Sequence, residues 1–119
     1  MAVESLSAIT LATGDVDAAV SFYRVLGFEV VWEGRDRRFV TLRSGDAWLN
    51  LFRAEGRSVR GWGRFILYVD DVDATWRALR EAGYVPEVEP SDATWGERYF
   101  HVLDPAGHEV SVAKRIRGR

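Results

Sequence analysis

Asp15-Val16-Asp17-Ala18 closes a short apolar run and opens a helical one, and Asp71-Val72-Asp73-Ala74 does the same 56 residues later. The helical pattern ends in Leu26-Gly27-Phe28 after the first copy and in Ala82-Gly83-Tyr84 after the second, at the same 56-residue interval. A capping aspartate, a helix and a glycine stop repeated at constant spacing mark a duplicated structural unit.

Upstream of each copy lies an alternating, strand-like run. Leu6 to Ala12 places Ile9 and Leu11 on one face and Ala8, Thr10 and Ala12 on the other. Arg64 to Val69 sets Phe65, Leu67 and Val69 against Arg64, Ile66 and Tyr68. Between cap and stop, Val16, Ala19, Val20, Tyr23 and Leu26 make one apolar helical face; Val72, Trp76, Leu79 and Ala82 make the other. Three strands are expected after each helix. The first set is Phe28–Trp32, Phe39–Arg43 and Ala47–Phe52, the last two joined by the turn Ser44-Gly45-Asp46. The second is Tyr84–Val88, weakened by Pro86, then Arg98–Leu103 and Glu109–Ala113 around Asp104-Pro105-Ala106-Gly107. The expected layout is a single domain over 1–119, with module 1 at about 5–54, a linker at about 55–63 and module 2 at about 64–114.

Composition narrows the function classes. Apolar residues at 47% and charged ones at 29% suit a globular chain with a real core. The absence of cysteine excludes disulfides, thiolate metal sites and a cysteine nucleophile. A net charge of −2 draws no nucleic acid; the one basic cluster, Lys114, Arg115, Arg117 and Arg119, reads as a solvated tail. No run approaches the ~18 apolar residues of a membrane span, and no leader pattern opens the chain, so a soluble, cytoplasmic protein without membrane partners is expected.

The pieces from Asp15-Val16-Asp17-Ala18 through Phe22-Tyr23-Arg24 to Leu26-Gly27-Phe28, with Trp95-Gly96-Glu97-Arg98-Tyr99-Phe100 to Asp104-Pro105-Ala106-Gly107-His108, resemble the vicinal oxygen chelate superfamily over residues 5 to 114. This is also called the glyoxalase, bleomycin-resistance and dioxygenase fold. The resemblance implies an α+β architecture of two tandem βαβββ modules, forming a curved mixed sheet around a cleft that a homodimer, often with exchanged modules, completes. Metal-using members resemble one another in carrying ligands on the first and last strands of each module. Counting seven residues back from each capping aspartate, and along the hairpins, those positions here are Ala8, Asn50, Arg64 and Ser111.

Ala8 has no donor atom, Arg64 is a permanent cation, and Asn50 and Ser111 offer weak neutral oxygens. No metal and no cofactor are therefore expected. If those four positions face inward, alternation adds Thr10, Ala12, Trp48, Phe52, Ile66, Tyr68, Glu109 and Ala113 to the same lining. Trp48 either packs in a core or stacks on a ligand, and Tyr68 offers a ring and a hydroxyl. Arg64 needs a partner, which Glu109, Glu97 or an anionic ligand group supplies. Trp95, followed by Gly96, resembles the aromatic-glycine element lining the drug groove in the bleomycin-resistance branch. His101 sits on a strand whose facing the sequence leaves open, and His108 lies at the turn.

The candidate ligand-binding set is Trp48, Asn50, Arg64, Ile66, Tyr68, Trp95, His101, Glu109 and Ser111, with no catalytic residue assigned. The leading expectation is a metal-independent binding protein that sequesters a bulky, partly aromatic natural product or antibiotic. The alternative is a metal-free isomerase, cyclase or hydrolase using Glu109, His101, Tyr68 or Arg64, and the third is a metal-dependent lyase or dioxygenase.

Overall fold

Asp15 lies in extended backbone and its carboxylate accepts the Ala18 N–H at 3.0 Å, capping the helix α1, Val16–Val25. Asp71 does the same to Ala74 at 3.0 Å at the start of α2, Val72–Glu81. Both helices end alike. Phe28 N–H reaches the Tyr23 carbonyl at 3.1 Å and Gly27 N–H the Arg24 carbonyl at 3.0 Å; Tyr84 and Gly83 repeat the two bonds to Leu79 and Arg80. These paired closures put Gly27 at φ 99° and Gly83 at φ 96°, a region costly for any residue with a Cβ.

The computed structural model describes residues 1–56 and 59–116. The chain divides into two units, Met1–Arg57 and Ser58–Arg119. Linker residues Arg57 and Ser58, and Arg117 and Arg119 of the basic tail, lie outside the described residues. No described helix is long and apolar enough to cross a membrane.

The first unit holds β1 (Ile9–Thr13), α1, β2 (Glu29–Glu33), β3 (Phe39–Ser44) and β4 (Ala47–Arg53). The second holds β5 (Arg64–Tyr68), α2, β6 (Ser91–Asp92), β7 (Glu97–Leu103) and β8 (Glu109–Arg115). Each forms its own four-stranded mixed sheet, in the orders β1-β4-β3-β2 and β5-β8-β7-β6. In both, the first and last strands pair in parallel and the rest antiparallel. This is the expected α+β duplication, one sheet to each module.

Alternation sorts each sheet into two faces. In the first unit Leu11, Val40, Leu42, Leu49 and Leu51 are buried with Val16, Ala19, Val20 and Tyr23 of α1. In the second, Phe65, Phe100, Val102, Val110 and Val112 are buried with Val72 and Leu79 of α2. Burying such side chains stabilises by roughly 1.5–3 kcal/mol each, which makes the helix-covered face the core of its unit.

Three expectations need correction. Tyr84–Val88 forms no strand: Pro86 has no N–H to donate, the bond from Glu87 N–H to the His101 carbonyl (3.2 Å) is not continued into a ladder, and Ser91–Asp92 pairs with β7 instead. On α2, Ala82 is exposed because it is the C-cap residue, beyond the helical phase. Trp76 is only half-buried, with the Arg80 guanidinium 4.9 Å from its ring centre, one turn on. Phe22, absent from the expected α1 face, is fully buried and meets Tyr23 edge-to-face at 5.0 Å.

Candidate ligand-binding site

The face of each sheet that its helix does not cover carries the sequence-derived candidates. In the first unit, parallel register sets Thr10 opposite Asn50, and antiparallel register sets Thr41 opposite Asn50 and Arg43 opposite Trp48. The Asn50 amide is occupied on both sides: its oxygen accepts from the Thr41 hydroxyl at 2.7 Å and its nitrogen donates to Thr10 Oγ1 at 3.2 Å. Trp48 is 42% exposed, with the Arg43 guanidinium 5.0 Å from its ring centre. Ala8 directly precedes β1. Trp48 is therefore no core residue of its unit, although its indole keeps a cationic neighbour.

Seven of the candidates fall in the second unit and share one face. Register arranges them in rows across β5, β8 and β7: Arg64 with Glu109 and Leu103, Ile66 with Ser111 and His101, and Tyr68 with Ala113 and Tyr99. Successive rows are two residues, or about 6.6 Å, apart. This settles His101, which lies on the open face with its Nδ1 2.8 Å from Ser111 Oγ. Arg64 faces Glu109 at 3.9 Å, the outer limit of an ion pair. Glu97 takes other partners. One carboxylate oxygen accepts from the Tyr68 hydroxyl and the other from the Trp95 indole N–H at 2.8 Å.

A tight turn holds Trp95. Gly96 N–H donates to the Ala93 carbonyl at 3.2 Å, Ala93 N–H to the Glu97 carbonyl at 2.7 Å, and the indole stays 50% exposed. From there the rings form a ladder: Trp95 to Tyr99 at 5.7 Å, then Tyr99 to His101 at 5.1 Å, between centroids. Tyr68, 56% exposed, lies under the Arg115 guanidinium at 5.8 Å. On the opposite side of β7, Arg98 donates to Asp73 of α2 from Nε and Nη2 (2.8 and 2.9 Å) and to Asp92 of β6 from Nη1 at 2.9 Å, anchoring the strands that flank Trp95. Tyr99 was not among the sequence candidates, and Glu97 was named there only as a possible partner of Arg64. Their signal was the two-residue alternation Trp95, Glu97, Tyr99, His101.

The residues at the four positions that the resemblance assigns to metal ligands do not fit a metal ion. Ala8 offers nothing, the Asn50 oxygen already accepts from Thr41, Arg64 is cationic, and Ser111 Oγ is engaged by His101. Divalent metals need several anionic or imidazole donors. Among the described residues no group of three or more His, Asp or Glu is placed to hold one. His108, at the last turn, is buried and its Nδ1 accepts from the Trp62 indole at 2.7 Å.

The family model of the Glyoxalase/Bleomycin resistance protein/Dioxygenase superfamily matches residues 5–112. The chain belongs to this superfamily. A bleomycin resistance protein of Klebsiella pneumoniae is 29% identical over 105 residues, 82% of this chain and 82% of that protein. The uncharacterised YraH of Bacillus subtilis (strain 168) is 27% identical over 123 residues, covering 91% of this chain and 96% of its own. The crystal structure of a bleomycin-binding protein complexed with bleomycin matches at a TM-score of 0.73 and 25% identity, over 93% of this chain and 98% of that one. Within the superfamily, this chain is thus similar to bleomycin-resistance proteins in sequence and in fold.

Proposed function

We propose that the protein is a metal-independent binding protein that sequesters a bulky, partly aromatic natural product or antibiotic. One observation carries the proposal. On the open face of the second unit, Trp95 and Tyr68 present half-exposed rings and Tyr99 and His101 partly exposed ones beside a carboxylate that orients Trp95 and Tyr68, while Arg64 and Ser111, at positions that the resemblance assigns to metal ligands, are unsuited to a metal. Exposing large aromatics costs free energy that stacking on a planar ligand recovers, and pockets for such ligands combine apolar walls with a few placed polar groups. The similarity to bleomycin-resistance proteins supports the same reading.

Trp48 and Asn50 of the first unit, and Arg64, Ile66, Tyr68, Trp95, His101, Glu109 and Ser111 of the second, are proposed as ligand contacts, and the protein is proposed to be a homodimer. Titration with bleomycin and a panel of aromatic antibiotics, followed by tryptophan emission, tests the function. Saturable quenching by at least one compound is expected, and Trp95→Ala is expected to remove most of it. Absence of quenching and of any thermal shift across the panel contradicts it.

A further inference from the structure

At the Arg64 end of the second unit's open face lies a depression of about 510 Å3, lined by Arg60, Arg64, Glu87, Glu109 and three glycines. Its four charges balance, so it has no net field to attract a simple ion. Nor do they neutralise one another at contact distance. Arg64 and Glu109 are 3.9 Å apart, against about 2.7–2.9 Å for a charge-assisted hydrogen bond, and among the described residues no ion pair joins Arg60 or Glu87 to a partner. Arg60 is nevertheless placed: a Cβ on Gly107 would lie 2.8 Å from Arg60 Cγ, so the arginine stem rests on that glycine. The depression adjoins the row Arg64–Glu109–Leu103, and two rows away along the same face, about 13 Å, lie Tyr68 and Tyr99.

We infer that this depression binds a dipolar amino-carboxylate head group, its carboxylate on the Arg60 and Arg64 guanidiniums and its ammonium on Glu87 and Glu109, with the rest of the ligand extending over the aromatic rows. The inference rests on the proposal that this face binds a partly aromatic small molecule, and adds the chemistry of one end of that molecule. A guanidinium pair takes a carboxylate in a planar, forked geometry that an ammonium cannot replace, and paired carboxylates suit an ammonium with its three donors. A ligand blocked at either end leaves one pair of protein charges facing a group that does not complement it.

The test uses naphthylalanine with both ends free, its carboxamide and its N-acetyl derivative, titrated into the full-length protein by calorimetry. The free amino acid is expected to bind at least about tenfold more tightly than either blocked form. Arg64→Gln is expected to bring the free acid to within about threefold of the carboxamide, and Glu109→Gln to do the same against the N-acetyl form. Arg60→Gln, a change at an exposed side chain, repeats the Arg64 result should the strand substitution disturb folding. Equal binding of the three compounds overturns the inference, as does a preference that survives both arginine substitutions. Failure of all three to bind while an aromatic antibiotic still quenches tryptophan emission overturns the head-group assignment alone and leaves the sequestration proposal standing.

Discussion

Glu97 is 8% exposed, yet both of its oxygens accept hydrogen bonds from aromatic side chains, Tyr68 from β5 and Trp95 from the preceding turn. A carboxylate in that position acts as a clamp, since each ring it binds loses rotational freedom before any ligand arrives. Tyr68→Phe keeps the ring and removes one donor. It is expected to destabilise the fold by about 1 kcal/mol, measured by urea unfolding, because the carboxylate keeps its desolvation cost without that bond. Glu97→Ala is expected to weaken aromatic ligands by about tenfold and to shift Trp95 emission to the red, since both rings then lose the hydrogen bond that orients them. The sequence singled out Trp95 because a large aromatic in a loop of Ser, Asp, Thr and Gly is conspicuous. Glu97 hid among the acidic residues Glu87, Glu89 and Asp92, because which of several carboxylates turns inward depends on strand phase and on the turn at Gly96.

Among elements, the two helices are the parts the sequence described most closely, caps and glycine stops included, because those signals are local and chemical. Asp15→Ala and Asp71→Ala are each expected to cost about 1 kcal/mol by denaturant unfolding, and the two losses to add within about 0.5 kcal/mol in the double variant. The edge of the second sheet was misplaced because a strand's partner is a non-local choice. Tyr84–Val88 has the composition of a strand, but Pro86 breaks its ladder, and the Arg98 contacts with Asp92 and Asp73 favour the later pairing at Ser91–Asp92. The same network has a pH signature. Hydrogen bonds from Arg98 hold the Asp73 carboxyl below its ordinary 3.8. A carboxyl lowered by folding contributes stability that is full above its unfolded value and is lost as pH falls through the folded one. The melting temperature of the natural chain is therefore expected to fall more steeply below about pH 4 than that of Asp73→Asn. The gap is expected to be small and to shrink in high salt, since both partners are a third or more exposed.

For the whole molecule, the piece from Asp15 to Phe28 and the closing run from Trp95 to His108, in order and with the 56-residue repeat between them, carried the resemblance to the superfamily whose family model matches residues 5–112. The site was legible only in part. Counting from the repeat reached Ala8 and Arg64, and alternation reached Trp48, Ile66 and Tyr68, but which face of β7 carries Tyr99 and His101 needed the β7–β8 register. A homodimer is expected to sediment at twice the 13.5 kDa of the chain, and substitutions at the exposed Trp32 or Trp48 to leave unfolding of the chain nearly unchanged. Binding without metal and without chemistry is open to a single measurement, incubation of the protein with a quenching compound in the presence of EDTA. The protein is then denatured and the compound analysed by mass spectrometry. The same affinity with and without chelator and quantitative recovery of unchanged compound are expected. Binding abolished by the chelator, or recovery of a converted product, would contradict the proposed function.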